Sequence, residues 1–230
     1  STPKPSSAAS DVYKRQIITR KMQTPPSLTY EQKLKLDDLA ERLIASEEPV
    51  TILIDGHEAE ISEYLIKKLP NARVVMDGGS LRASNIKLAA WTDYFVVSEH
   101  FARDYMSYRS LSTEAEIKAA LIELNKICRG EAFITLGEKG CAFLKSGMLQ
   151  IVPSWLCNAV DTTGAGDVFH GAFTYGVHYS WHIDNIILFA SLTAAISIEK
   201  KGVRESMPDL AVVHHSLNSY ERNLTQYFEE

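Results

Sequence analysis

A short apolar run, Arg73-Val74-Val75-Met76-Asp77, ends in an acidic residue and is followed by two glycines. Its apolar residues are consecutive rather than alternating, which is typical of a parallel strand that helices cover on both faces. Similar runs lie upstream and downstream of it, at residues 50–55, 93–97 and 132–136. Segments of helical length separate these runs, and the alternation predicts βαβ units with a parallel sheet.

The predicted helices fill the intervals between these strands and most of the C-terminal half. They are expected at about residues 30–46, 58–69, 98–106, 113–128, 164–179, 182–200 and from 208 onward. Two short runs at residues 142–145 and 149–152, joined by Ser146-Gly147, predict a β-hairpin. The sequence therefore predicts an α/β fold, with a predominantly parallel sheet flanked by helices on both faces.

Composition separates a leader from one main domain. The first 16 residues are rich in Ser, Pro and Ala and lack an apolar period. We therefore expect residues 1–24 to be a disordered or non-native leader and residues 25–230 to form one domain. No basic-then-apolar segment opens the chain, so a cytoplasmic location is expected.

The overall composition argues against several classes of partner. The 230 residues carry a formal net charge of −5, so a basic surface for nucleic acid is not expected. No apolar run reaches the roughly 18 residues that a membrane span needs. The three cysteines are odd in number and widely spaced, which favours reduced thiols over a disulfide framework or a zinc site.

The segment Asp161-Thr162-Thr163-Gly164-Ala165-Gly166-Asp167 carries the strongest functional signal. Small residues run directly into an apolar helical pattern, so the N–H groups of Gly164, Ala165 and Gly166 are expected to be unpaired at a helix N-terminus. The helix dipole favours an anion at that point, and glycines allow a ligand to approach the backbone closely. With Asp167 in the first helical turn, the pattern predicts a phosphate-sized hole beside a carboxylate.

Other interpretations of this segment stay open. A glycine loop followed by an acidic first turn needs no ligand, because an acidic residue is favourable there by itself. A dinucleotide-binding fingerprint is supported by the spacing to Asp184, but Phe169 stands where its last glycine belongs. A Walker-type loop is excluded because no Lys-Ser/Thr pair follows the glycines.

Residues 161–174 resemble the C-terminal signature of the ribokinase-like (PfkB) family of carbohydrate kinases. In that family the glycines form the anion hole for the transferred phosphoryl group, and the following aspartate accepts the proton of the attacked hydroxyl. The resemblance therefore implies that Gly164, Ala165 and Gly166 form the anion hole and that Asp167 is the catalytic base. It also implies a ribokinase-like fold, ATP and Mg²⁺ as cofactors, and a small-molecule sugar as the substrate.

Further stretches resemble the same family in the same order. Residues 135–140 resemble a glycine turn beside the nucleotide, and residues 189–202 resemble the helix and loop that enclose the adenine. The resemblance implies nucleotide contacts from Thr135, Gly137, Gly140, Thr162, Ser191 and Gly202. It places Asp161 and Thr163 near a monovalent-cation loop, so K⁺ is a further expected cofactor.

The sequence also departs from the family pattern. The Asn-x-x-Glu pair that helps to hold magnesium in many members reads Ser98 and Phe101 here, so the metal ligands stay unassigned, with Glu99 as an alternative. Nothing before Tyr30 resembles the front region that carries much of the sugar pocket and the lid. We therefore expect the C-terminal part of a longer kinase, without the lid region, whose full-length form could be a homodimer.

The expected activity is transfer of the ATP γ-phosphoryl group to a hydroxyl of a sugar or sugar-like substrate. Residues 53–57 and 77–80 resemble the ketohexokinase-like subgroup, and His57 is interpreted as a strand-end histidine with a local hydrogen bond. The main alternative is a catalytically incompetent nucleotide-binding fragment or regulatory module. An oxidoreductase that uses a dinucleotide is a third hypothesis.

Overall fold

Helices and strands alternate along residues 27–217, which are the residues that the computed structural model describes. In chain order they are α1 (Tyr30–Ala45), β1 (Thr51–Ile54), α2 (Ala59–Lys68), β2 (Arg73–Gly78), α3 (Ala83–Ala89), β3 (Tyr94–Ser98), α4 (Glu99–Tyr105), α5 (Glu114–Asn125), β4 (Glu131–Thr135), β5 (Cys141–Lys145), β6 (Met148–Val152), α6 (Ala165–His178) and α7 (Ile183–Ser197). Residues 210–217 are also helical. The leader predicted over residues 1–24 lies outside the described residues.

The six strands form one sheet in sequence order, β1-β2-β3-β4-β5-β6. β1 to β4 are parallel to one another, whereas β5 and β6 continue the sheet as an antiparallel hairpin. Both hairpin turn residues have positive φ, 52° at Ser146 and 76° at Gly147, which is the geometry that matches strand twist. The predicted parallel sheet and the predicted hairpin are therefore confirmed.

Helices cover both faces of the sheet, and the alternation of side chains along each strand separates two cores. Val74 and Met76 belong to the core under α2 to α5, while Val75 belongs to the core under α6 and α7. α1 packs outside α2 through a small apolar cluster. The prediction of a helical layer on each face is confirmed.

Side-chain caps define where two of the helices begin. Thr29 and Gln32 form a capping box at the start of α1, and Thr113 and Glu116 form another at the start of α5. Each box satisfies backbone N–H groups that have no partner within the helix. Within residues 27–217, no helix combines the length and apolarity that crossing a bilayer requires.

The sequence prediction missed one helix and misplaced one boundary. α3 has only seven residues, and only Asn85, Leu88 and Ala89 are buried, so it is too short to show a clear helical period. Ser98 was expected to open a helix but is the last residue of β3. Its Oγ atom accepts the N–H of Phe101 at 3.0 Å and so caps α4 from outside.

Candidate functional site

The N-terminus of α6 meets the carboxyl ends of β2 and β3 at one edge of the sheet. The ring of His170 in α6 lies 3.4 Å from the carboxylate of Asp77 near the end of β2. The same ring lies 3.1 Å from the carbonyl oxygen of Val96 in β3. The carboxyl edge of a parallel sheet is where such folds bind ligands, so this junction is the candidate site.

A left-handed glycine opens α6. Gly164 has a φ of 76° as N-cap, and its carbonyl oxygen accepts the N–H of Val168 at 2.9 Å. Among residues 27–217, no protein acceptor binds the N–H of Gly164 or Gly166. The structure differs from the expectation at Ala165, whose N–H donates to the carbonyl oxygen of Thr162 at 3.3 Å. The tight turn itself provides this acceptor, because it folds Thr162 back over the helix start.

Asp167 and Gly166 are both exposed at the start of α6. Asp167 is the third helical residue, where a carboxylate interacts favourably with the helix dipole. A Cβ atom added to Gly166 would meet nothing within 4 Å, so the surface above this turn is open. An anion that approached the turn would therefore meet free N–H groups beside an accessible carboxylate.

Asp77 is an acid at this edge whose pKa lies above its ordinary value. Burial raises its pKa, and the charges of Asp167 and Asp55 raise it further, while the charge of His170 has the opposite effect. Asp55 follows β1 and is itself bound by His57, through the backbone N–H at 2.9 Å and the ring Nδ1 at 2.8 Å. Although burial opposes it, these contacts lower the pKa of Asp55. The predicted local hydrogen bond of His57 is therefore present.

Asp161 connects two loops beside the Gly164 turn. Its Oδ1 atom accepts the N–H of Thr163 at 3.1 Å, and its Oδ2 atom accepts the N–H of Gly202 at 3.3 Å. Hydrogen bonds from Thr163 and then Gly202 lower the pKa of Asp161. Gly202 has a φ of 87°, a conformation that suits glycine. The structure thus brings the Asp161–Gly166 segment together with the loop that follows α7.

The other residues expected to contact a nucleotide are spread over β4, the turn after it, and α7. Thr135 ends β4, and its hydroxyl donates to the carbonyl oxygen of Val97 at 3.4 Å. Gly137 is exposed with a φ of 61°. A Cβ atom at the buried Gly140 would lie 2.0 Å from the carbonyl oxygen of Val152, so chain packing already requires a glycine at this position. Ser191 lies within α7 and is 7% exposed.

The positions that depart from the family's magnesium pattern have structural roles. Phe101 is fully buried in the core under α4. The hydroxyl of Ser98 donates to the carbonyl oxygen of Gly79 at 2.8 Å. In the part of the chain from residue 27 to 217, no group of three His, Cys, Asp or Glu side chains could hold a metal ion.

The sequence analysis did not identify two side chains that belong to the site. His170 stands in an apolar stretch of α6, and its position one turn after Gly166 is the signal that could have identified it. Asn85 belongs to the helix that was missed. It is fully buried and donates to the carbonyl oxygen of Asp55 at 3.2 Å, while its Oδ1 atom has no partner among residues 27–217.

Comparisons with known proteins match this architecture. The model of the pfkB family carbohydrate kinase matches residues 80–210. The ribokinase of Lactococcus lactis subsp. lactis (strain IL1403) is 29% identical over 189 residues, which cover 82% of this chain and 60% of that protein. The chain thus spans about 60% of the length of that relative.

Two solved structures share the fold. The ribokinase of Giardia lamblia aligns with a TM-score of 0.69 at 23% identity, covering 80% of this chain and 62% of that one. The ribokinase of Arabidopsis thaliana, complexed with ribose and ATP, aligns with a TM-score of 0.66 at 20% identity, covering 83% of this chain and 60% of that one.

Proposed function

The chain belongs to the pfkB family of carbohydrate kinases, and on this premise we propose that it transfers the γ-phosphoryl group of ATP to a hydroxyl of a sugar or sugar-like substrate. One observation carries the proposal: an exposed carboxylate, Asp167, directly follows a glycine turn with free N–H groups. The L. lactis relative is a ribokinase, which favours a sugar as the acceptor. Within the family, the ketohexokinase-like subgroup is the narrower proposal.

The anion hole is assigned to the turn of Gly164, Ala165 and Gly166. Phosphoryl transfer depends on positioning and on stabilising the charge of the transferred group, which fixed N–H donors can do. The N–H groups of Gly164 and Gly166 are available to the phosphoryl oxygens. That of Ala165 joins them only by giving up its long hydrogen bond to Thr162.

Asp167 is assigned as the base. Its carboxylate would orient the acceptor hydroxyl toward the γ-phosphorus and accept the hydroxyl proton as the new oxygen–phosphorus bond forms. The bond between the γ-phosphorus and its bridging oxygen breaks in the same transfer, and ADP leaves with that electron pair. The exposure of Asp167 is consistent with direct contact between its carboxylate and the acceptor.

The nucleotide and ion sites complete the proposal. We assign ATP contacts to Thr135, Gly137, Gly140, Thr162, Ser191 and Gly202. Magnesium would be bound mainly by the ATP phosphates and would supply neutralisation of their charge. A K⁺ ion would lie near Asp161 and Thr163. The proposal treats residues 25–230 as one nucleotide-binding and catalytic domain of a cytoplasmic protein that can form a homodimer.

The proposal is tested by replacing Asp167 with Asn and assaying ATP-dependent phosphorylation of a panel of ketoses, aldoses and nucleosides. Asn keeps the size of Asp but cannot accept the proton, so kcat should fall about 10²–10⁴-fold while nucleotide affinity changes little. Asp184→Asn is the matched control, because Asp184 is also a first-turn acid and is paired with Lys145 at 3.1 Å.

Two outcomes would contradict the assignment. An Asp167→Asn protein with near wild-type turnover would show that the carboxylate is only a favourable first-turn acid. A wild-type protein that binds ATP by calorimetry but phosphorylates no acceptor in the panel would support the incompetent nucleotide-binding module instead.

A further inference from the structure

His170 is a buried histidine for which the proposed roles provide no explanation. It follows Asp167 by three residues in α6, and its side chain is 3% exposed. A polar ring in such a place needs hydrogen-bond partners, because an unpaired buried donor or acceptor is costly. The identity of those partners determines how many protons the ring carries.

Both ring nitrogens of His170 face backbone carbonyl oxygens. Nδ1 lies 2.6 Å from the oxygen of Gly166, and Nε2 lies 3.1 Å from the oxygen of Val96. A carbonyl oxygen can only accept a hydrogen bond, and a neutral imidazole has a single N–H. Turning the ring over would place carbon atoms where the two nitrogens lie, and both hydrogen bonds would be lost. Only a doubly protonated ring can therefore make both bonds.

Asp77 supplies the negative charge that a buried imidazolium needs. Its Oδ2 atom lies 3.4 Å from Nδ1 of His170, and its side chain is 17% exposed. Val96, whose carbonyl faces Nε2, is the register partner of Asp77 in the neighbouring strand. The ring thus contacts β2 and β3 at matching positions, while Nδ1 also contacts the first turn of α6.

The surrounding charges act on Asp77 in opposite directions. Burial raises the pKa of Asp77, as do the charges of Asp167 from α6 and Asp55 from the end of β1, whose carboxylate is already bound to His57. The positive charge of His170 opposes these effects. Without that cation, Asp77 would tend to take up a proton next to Asp167, and the contact with α6 would weaken.

We propose that His170 is a positioning residue for phosphoryl transfer: as an imidazolium paired with Asp77, it holds the first turn of α6 against β3 and so fixes the direction of the Gly164 turn and of Asp167. The catalytic consequence rests on the function proposed above. The proton count of the ring and the anchoring of the helix do not rest on that function, because both can be measured without turnover.

The proton count is tested by NMR of protein with ¹⁵N-labelled histidine at about pH 8, above the usual range in which histidine titrates. His170 should show a proton on each ring nitrogen. His178 is the matched control on the same helix, since its Nδ1 lies 3.3 Å from the hydroxyl of Thr51, which can donate or accept. Asp77→Asn should remove one proton from His170. A single ring proton on wild-type His170 would overturn the proposal.

The anchoring is tested with His170→Asn, which keeps a donor near the Nδ1 position, and His170→Gln, which keeps one near Nε2. The N–H of Val168 bonds within the first turn of α6, and that of Tyr179 bonds at the last turn. Asn loses the bond to Val96 in β3 and Gln loses the bond to Gly166, so neither can join the first turn of α6 to β3, and each should speed hydrogen exchange at Val168 about 10-fold or more relative to Tyr179. Equal exchange in both variants and in the wild type would overturn the proposal.

The catalytic consequence is measured by comparing kcat with KM well below the melting temperature of each variant. Both His170 variants should lower kcat about 10-fold or more with KM for ATP changed less than about 3-fold, whereas His178→Gln should change neither. A His170 variant that melts earlier but keeps its kcat would show that the residue is merely structural. Absence of turnover in the wild type would count against the proposed function, and the ring-proton and hydrogen-exchange measurements would still decide the role of His170.

Discussion

The Oδ2 atom of Asp161 accepts a hydrogen bond from the N–H of Gly202 at 3.3 Å, although 41 positions separate the two residues. The other oxygen of the same carboxylate accepts the N–H of Thr163. One side chain therefore joins the segment that leads into α6 to the loop that follows α7. In the proposed kinase these two segments contact the phosphates and the adenine. Asp161 would therefore fix the position of one end of the nucleotide site relative to the other.

Asp161→Asn is expected to lower both the melting temperature and the affinity for ATP at neutral pH. Hydrogen bonds to the ionised carboxylate lower its pKa in the folded protein, so its contribution to stability is complete above about pH 4, the ordinary carboxyl value, and is lost as the pH falls through the lower folded value. Thermal melts between pH 7 and 3 should show the two proteins converging. Exposed Asp209→Asn is the control, and a gap that stays constant on acidification would contradict this explanation.

Alanine substitutions at Gly164 and at Gly166 should affect stability differently. A Cβ atom at Gly164 would lie 2.7 Å from Cγ1 of Val203 and would occupy a left-handed conformation, so Gly164→Ala should destabilise the fold by roughly 1–3 kcal/mol. Gly166 is helical with no neighbour within 4 Å, so Gly166→Ala should leave stability unchanged or raise it by up to about 1 kcal/mol.

The Gly166→Ala variant also tests the anion hole through turnover. In the proposed site the added methyl group of Gly166→Ala would keep the phosphoryl group from the backbone, so kcat should fall although the protein is at least as stable. Urea unfolding and steady-state kinetics measure the two quantities separately. Full activity in Gly166→Ala would argue against close approach of a ligand at this turn.

Arg73→Ala should destabilise the protein through the far end of α6. The Nη1 atom of Arg73 donates to the carbonyl oxygen of Val177 in the last helical turn, which also accepts the N–H of Ser180 at 3.0 Å. A charged donor at this place should contribute about 1–3 kcal/mol. Arg42→Ala is the control, since Arg42 forms an exposed pair with Asp38 and should contribute less than about 1 kcal/mol. Similar unfolding free energies for both variants would contradict this role.

The three thiols should resist alkylation to different degrees. Burial raises the pKa of Cys128 to about 11, and burial followed by the charge of Glu199 raises that of Cys157. Cys141 is fully buried, and burial raises its pKa further still. At about pH 8, a thiol reagent followed by mass spectrometry should label Cys141 only as fast as the protein unfolds. Labelling of Cys141 at the rate of the other two would indicate local opening of β5.

The sequence predicted the parts of the fold that follow from uninterrupted apolar runs. The strand around Val75 and the three other parallel strands were predictable because a strand buried on both faces needs consecutive apolar residues. The hairpin turn at Ser146-Gly147 was visible because its geometry favours specific residue types. α3 was not visible, since its burial depends on contacts from α2 and β2 rather than on its own short period.

The site was predictable only where it is local in the sequence. The Gly164 turn and Asp167 lie within one segment, so their juxtaposition follows from helix geometry. The contacts of His170 with Asp77 and Val96 join residues that lie 93 and 74 positions apart in the sequence, and no local pattern predicts them. The close approach of the Val152 carbonyl oxygen to Gly140 is likewise a contact that no local pattern predicts.

Each strand of the sheet lies beside the strand that precedes it in the sequence. During synthesis, a new strand can therefore dock on the completed edge as soon as it leaves the ribosome, and contacts between neighbouring strands form over short loops. α6 behaves differently, because it packs on β1 and β2 although it is made after all six strands. One face of β1 and β2 thus stays uncovered by α6 until that helix has been synthesised, and we expect the nascent chain to need a chaperone or rapid docking of α6 during that interval.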